Sequence, residues 1–282
     1  MAAGENGVDV LRTADGTMPA LGFGTWDLRG DTCRMAVGCA LETGYRHIDT
    51  AEMYDNEEAI GDALQESDVP REDVFLVTKV WHDHLDASGV RRALRGSLEK
   101  LQTDYVDLLL IHWPTSTGVP PAETLGAMGE LRDEGSTRHV GVSNFTVALL
   151  EEAQGASPAP IFCNQVEYHP YLSQDPVLEW CRENDTLLIA YCPLARGRVF
   201  EDRVLQEIAE AHGKTPGQVT VRWHLQQRNA GAIPRSSSPD HIRENFDVFD
   251  FELSEREMYR IFDLQRGERY LGGMSVAPDW DT

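Results

Sequence analysis

The sequence predicts an α/β fold: a closed (β/α)8 barrel, of the TIM-barrel kind, with an N-terminal β-hairpin capping the barrel bottom. Three observations lead there. Eight short apolar runs alternate with segments of helical spacing. The runs are continuously apolar, as strands of a parallel sheet covered by helices are. Their number favours closure of the sheet on itself. An open doubly wound sheet is the alternative, but no G-x-G-x-x-G follows the first run. A chain of 282 residues suits one such domain over 1–282.

The elements follow in order. V-D-V-L-R, the turn A-D-G-T and M-P-A-L-G read as the hairpin. The eight runs cover 21–26, 46–50, 74–80, 106–113, 139–144, 161–166, 187–193 and 231–236. Between the third and fourth, Val90, Leu94, Leu98 and Leu101 fall on one helical face. Leu125, Met128 and Leu131 repeat this more briefly after the fourth. T-P-G-Q-V-T-V-R-W-H-L starts a helix with a Thr cap and a first-turn Pro. No Gly/Ser linker, low-complexity tract or short repeat divides the chain.

Polar residues gather where these runs end. They are Asp49, Lys79, His112, Ser143 with Asn144, Asn164 with Gln165, and Arg235 with Ser236. In a parallel barrel such ends share one face, where active sites are built. Each has a plain structural reading. Asp49 alone is a helix cap, Tyr54 a core edge, Lys79 a snorkelling lysine and His112 a satisfied core histidine. Six polar ends on one rim exceed what caps explain. Asn56 and Glu57 read as capping and positioning the helix after Tyr54. His47 reads as structural, and His82 with His84 as solvated, so no metal site is expected.

Composition narrows the partners. The net charge of −22 argues against nucleic-acid binding, which needs clustered Lys and Arg. Only Lys79, Lys100 and Lys214 are lysines. Abundant carboxylates with few lysines suggest a surface kept hydrated in high salt, hence a salt-loving source. The scattered Cys33, Cys39, Cys163, Cys181 and Cys192 read as buried hydrophobes of a reducing compartment. No run approaches the roughly 18 apolar residues of a membrane span, and no secretory signal is visible. A cytoplasmic monomer without membrane contact is expected.

The rim has a chemistry. A tyrosine hydroxyl titrates near 10 and is a poor acid at neutral pH. An adjacent ammonium lowers it; two units need roughly 2.7 kcal/mol of differential interaction. A carboxylate keeps the buried ammonium charged. The tyrosine then protonates a carbonyl oxygen as hydride reaches its carbon, and a histidine orients that carbonyl. Asp49, Tyr54, Lys79 and His112 are this set. A hydrolase using paired carboxylates would need a second acid across the rim, and only Asp49 qualifies clearly.

The motifs G-F-G-T-W, G-Y-R-H-I-D-T-A-E-M-Y-D-N-E, L-V-T-K-V-W, D-L-L-L-I-H-W-P, G-V-S-N-F, N-Q-V-E-Y-H-P, Y-C-P-L and I-P-R-S before R-E-N occur in this order. With them the chain resembles the aldo-keto reductase family, in its small microbial branch of diketogluconate and aldehyde reductases. The resemblance implies carbonyl reduction with a nicotinamide cofactor on an (α/β)8 barrel, and Asp49, Tyr54, Lys79 and His112 as the catalytic tetrad. It implies cofactor contacts from Gly24, Thr25, Trp26 and Asp49, carboxamide contacts from Ser143, Asn144 and Gln165, and ring stacking on Tyr191. Leu194 would lie over the pyrophosphate; Arg235, Ser236, Ser238, His241, Glu244 and Asn245 would meet the adenosine end.

Two departures from the family pattern bear on the cofactor. Arg235 replaces the usual Lys and still offers a cation to a 2′-phosphate. His241 stands where many members have Arg, so NADPH is expected, with NADH or dual use left open. Short loops after H-W-P and Y-C-P-L, and a modest tail, imply an open pocket walled by Trp26, Trp81 and Trp113, with Tyr54 and His112 also meeting the small-molecule carbonyl substrate. They also imply broad specificity and easy cofactor exchange. Some relatives serve instead as redox-sensing subunits or lens structural proteins; the intact tetrad favours the enzyme.

Overall fold

The computed structural model describes residues 2–3, 9–271, 273 and 275–281. A small antiparallel sheet comes first, from β1 (Ala2–Ala3), β2 (Asp9–Thr13) and β3 (Gly16–Pro19). Eight parallel strands follow, neighbours in chain order: β4 (Phe23–Gly24), β5 (His47–Asp49), β6 (Phe75–Val80), β7 (Val106–Ile111), β8 (Thr137–Ser143), β9 (Ile161–Glu167), β10 (Leu187–Tyr191) and β11 (Ala230–Ala232). The seam between last and first is closed by backbone bonds. Gly22 N donates to Ala232 O at 2.9 Å, Gly24 N to Pro234 O at 3.0 Å, and Ala232 N to Ala20 O at 2.9 Å. The barrel is therefore shut, and its strands have no free edge.

The strands at the seam are shorter than their apolar runs suggest. Beyond Gly24 and Ala232 the seam continues as single bonds, and Pro234 has no N–H to extend a ladder. Arg235 and Ser236 consequently sit in the connection after β11, a correction to their expected place on the strand. Asn144 likewise lies just past β8, at φ 65°.

The hairpin covers the barrel bottom as expected. Leu11 and Met18 are buried beneath it. Its turn reaches the N-terminal end of β8, where Asp15 Oδ2 lies 2.7 Å from His139 Nδ1. There is no room for a side chain at Gly16, whose Cβ would stand 2.6 Å from the His139 ring.

Helices α1 (Gly30–Thr43), α2 (Glu57–Glu66), α3 (Ala87–Leu101), α4 (Pro121–Asp133), α5 (Val147–Ala156) and α6 (Asp175–Glu183) each follow one strand. After β10 come two, α7 (Arg203–His212) and α8 (Pro216–Leu225); α9 (Pro239–Phe246) and α10 (Glu255–Phe262) complete the chain. The face of α3 is as expected, with Val90, Leu94 and Leu101 buried and Leu98 partly so. The Thr215 cap of α8 is a full capping box with Gln218. Where α2 crosses α3, Gly61 is needed: a Cβ there would lie 2.4 Å from the Lys100 carbonyl.

Candidate active site

Asp49 ends β5, and its carbonyl accepts from Thr25 N at 3.1 Å and Thr25 Oγ1 at 2.9 Å. Its carboxylate thus faces the rim at a fixed place. Lys79, the fifth residue of β6, points at it from the neighbouring strand. The Lys79 ammonium is fully buried, 2.5 Å from Asp49 Oδ1, 2.7 Å from Thr50 O and 3.5 Å from Tyr54 Oη. The other Asp49 oxygen accepts from Gln165 Nε2 at 2.6 Å, across the barrel from β9. Tyr54 ends a short 3-10 turn, Glu52–Tyr54. Its ring meets His112 edge-on, centroids 5.5 Å apart. His112 follows β7, and its Nδ1 is buried with no partner among the described residues.

Two residues of the same stretch act differently from expectation. Asn56 precedes α2 but makes no side-chain cap. Instead its amide donates to Thr25 O at 2.9 Å and Leu28 O at 3.1 Å, and accepts from Thr50 Oγ1 at 2.7 Å. It staples the loop carrying Tyr54 to the loop after β4. Glu57 is buried in the first turn of α2, accepting from Thr78 Oγ1 at 2.7 Å, with the Lys100 ammonium 3.6 Å away.

Burial governs the charges. It lowers the Lys79 pKa, while Asp49 works to raise it. It raises the Tyr54 hydroxyl well above 10, with the Asp49 charge adding to the effect. That is opposite to the lowering expected from Lys79. Burial, and then the Lys79 charge, hold His112 well below 6.5. The phenol and the imidazole are thus both held toward their neutral forms beside the Lys79–Asp49 contact.

The expected cofactor residues form two groups. Near Asp49, Ser143 Oγ donates to Gln165 O at 2.7 Å, Asn144 Nδ2 to His112 O at 2.9 Å, and Tyr191 Oη to Asn144 Oδ1 at 2.8 Å. Gly24 is held close to the seam: a Cβ would stand 2.8 Å from Ile233 O. The second group lies between β11 and α9. Arg235 is exposed and donates to Trp26 O and Asp27 O, both at 3.2 Å. Ser236 Oγ accepts from Ser238 N at 3.0 Å, and Glu244 Oε1 from Thr215 Oγ1 at 2.7 Å. His241 is exposed on α9 and Asn245 buried. Leu194 leads into a left-handed stretch, with φ of 48° at Ala195, 53° at Arg196 and 90° at Gly197.

The three expected wall tryptophans differ. Trp26 is exposed, and Trp81 is half-buried with its ring 5.0 Å from His112. Trp113 is buried, because Trp280 of the C-terminal segment meets it edge-on at 6.2 Å. The pocket is thus not open on that side. The segment is held where Glu167, at the end of β9, accepts from Tyr270 N at 2.6 Å and Leu271 N at 3.0 Å. Sequence reasoning missed both Glu167 and Trp280; the acid in N-Q-V-E-Y-H-P and the lone tail tryptophan were the signals. His82 meets Ser116, and His84 meets Glu52. Clefts on the barrel flank, around Lys100, contain none of Asp49, Tyr54, Lys79 or His112.

The sequence pattern of the aldo/keto reductase family matches residues 20–266. The chain belongs to the aldo/keto reductase family. It is 39% identical over 266 residues to methylglyoxal reductase DkgB of Escherichia coli O157:H7, covering 94% of this chain and 99% of the relative. A crystal structure assigned as a 2,5-diketo-D-gluconic acid reductase B is 43% identical, covers 98% of each chain and superposes with a TM-score of 0.95. A Gox0644 variant in complex with NADPH is 36% identical, covering 93% of this chain and 96% of the other, with a TM-score of 0.88. Asp49, Tyr54, Lys79 and His112 all lie inside the family match. Arg269, Tyr270 and Trp280 lie beyond it.

Proposed function

We propose that this aldo/keto reductase reduces aldehydes and ketones to alcohols, with Tyr54 as the proton donor and NADPH as the preferred nicotinamide cofactor. The observation that carries the reading is the chain Asp49–Lys79–Tyr54, with His112 against the tyrosine ring. The donor set fits such a cofactor. The Asn144 amide oxygen meets the half-buried Tyr191 hydroxyl, the Ser143 hydroxyl meets the Gln165 backbone, the Gln165 amide meets Asp49, and Arg235 exposes a guanidinium. A bound nicotinamide would supply hydride to the carbonyl carbon. Ser143, Asn144, Gln165 and Tyr191 would hold its reacting end, and Arg235 would face a 2′-phosphate.

The proton comes from Tyr54. A phenol held above its ordinary pKa keeps its proton until negative charge builds on the carbonyl oxygen. The Lys79 ammonium, 3.5 Å from Tyr54 Oη, then stabilises the phenolate left behind. Asp49 holds that ammonium in place and charged. Neutral His112 has one N–H to offer the same oxygen. Hydride on carbon and proton on oxygen complete the alcohol.

A small-molecule carbonyl substrate, a cytoplasmic setting, a monomer and a single domain over 1–282 belong to this proposal. Among the described residues no helix is long and apolar enough to cross a membrane. The test is absorbance of NADPH and NADH in molar salt with methylglyoxal, an aromatic aldehyde and a keto-sugar. NADPH should be consumed faster than NADH. If no substrate oxidises either cofactor while both bind, the second reading, a cofactor-binding sensor on the same fold, takes its place.

A further inference from the structure

Between Asp49 and Tyr54 the chain carries one more acid, Glu52, which the proposed chemistry does not use. Glu52 opens the 3-10 turn that ends at Tyr54. Its carboxylate reaches the connection after β6. That strand ends at Val80, and the Trp81 N–H that follows goes to Glu52 Oε1 instead of to a neighbouring strand. The same two oxygens lie 3.2 and 3.3 Å from His84 Nδ1. His84 N in turn donates to Trp81 O at 3.0 Å, closing a tight turn over 81–84. One carboxylate, its side chain only 14% exposed, thus holds both ends of that turn.

The turn presents Trp81 to the reacting centre. Its ring meets His112 edge-on at 5.0 Å, just as His112 meets the Tyr54 ring at 5.5 Å. From the middle of the turn His82 Nδ1 lies 2.7 Å from Ser116 Oγ, which ties it to the loop after β7. A hydrogen bond from a backbone N–H to a carboxylate is stronger than one to a neutral acceptor. A wall fixed in advance spares a ligand the cost of ordering it. That saving counts for a flat ring that lies along the indole, and little for a small molecule that barely touches it.

We propose that Glu52 is a specificity-determining positioning residue: by clamping the turn 81–84 it fixes Trp81 as a flat wall beside His112 and favours aromatic over small aliphatic carbonyl compounds. This rests on the reductase reading and adds a preference among its substrates. Glu52 acts on the wall and not on the proton donor, because the loop carrying Tyr54 is held separately by Asn56 through Thr25, Leu28 and Thr50.

The experiment compares 4-nitrobenzaldehyde with methylglyoxal in the wild type, Glu52→Ala, Glu52→Gln and His84→Ala. In Glu52→Ala the ratio of kcat/KM for the aromatic over the small aldehyde should fall by about tenfold, chiefly through KM, while kcat for methylglyoxal stays close to wild type. Glu52→Gln keeps a carbonyl oxygen for the Trp81 N–H and should restore most of the ratio. His84→Ala frees only the far end of the turn and should lower the ratio by a smaller factor; it carries the test if Glu52→Ala does not fold. An unchanged ratio in Glu52→Ala, or in His84→Ala in its place, overturns the proposal. So does an equal loss for both aldehydes, or a Glu52→Gln variant no better than Glu52→Ala. In each of those cases the reductase reading stands. If the wild type reduces neither aldehyde, the reductase reading fails first and takes this inference with it.

Discussion

At the scale of single residues, charge and burial compete, and burial decides more than the sequence suggests. The types and order of Asp49, Tyr54, Lys79 and His112 were legible because the chemistry requires a carboxylate, a phenol, an ammonium and an imidazole at neighbouring strand ends. The direction of the Tyr54 pKa was not. Desolvation depends on how deeply the ring is packed, and here it outweighs an ammonium 3.5 Å away. Tyr54→Phe removes the proton but keeps the ring against His112. Its kcat should fall by about 10²–10⁴-fold, the usual contribution of a positioned acid. NADPH titration should show binding little changed; retained turnover would remove Tyr54 as the acid.

At the scale of elements, the loop after β5 carries Tyr54 only because something holds it. That holder is Asn56, whose three side-chain bonds tie Thr50, Thr25 and Leu28 together. Its neighbour in sequence is a helix start, so a local reading makes it a cap. Two of the partners that override this, Leu28 and Thr25, lie 28 and 31 positions away in the chain, beyond any local pattern. Asn56→Ala leaves several buried polar groups unpaired and should cost on the order of 3 kcal/mol. Urea unfolding measures that loss. Turnover should drop more than cofactor affinity, since Tyr54 loses its placement.

At the scale of the whole molecule, two global properties are testable. His47 is pulled down to about 4 and His224 to about 3 by burial, and His112 is also lowered. Unfolded imidazoles titrate near 6.5. Below that pH the unfolded chain takes up protons that the folded chain refuses, so stability present above 6.5 is lost as pH falls toward 4. Each such group steepens the loss by up to about 1.4 kcal/mol per pH unit. Chemical denaturation at pH 7.5, 6 and 5 should show midpoints falling in that order. The second property is charge. A net charge of −22 repels itself, and salt screens it within about 10 Å at 0.1 M. Each of the three lysines is already paired, Lys79 with Asp49, Lys100 with Glu57, and Lys214 with Asp247 and Asp250. The melting temperature should therefore rise by several degrees between dilute buffer and molar KCl in calorimetry. A flat profile would remove the case for a salt-loving source, which rests on charge alone.

The sequence by itself determined the barrel, the order of its strands and the polar strand ends at Asp49, Lys79 and His112. Continuous apolar runs at regular spacing admit few other folds, and a parallel strand can only present its last residue on one face. Tertiary structure alone decided the closing seam, the Asn56 staple, the upward shift of Tyr54 and the return of the C-terminal segment over Trp113. Each depends on partners far apart in the chain. Local pattern carries no record of such partners, whereas burial and hydrogen-bond satisfaction in the folded chain select them.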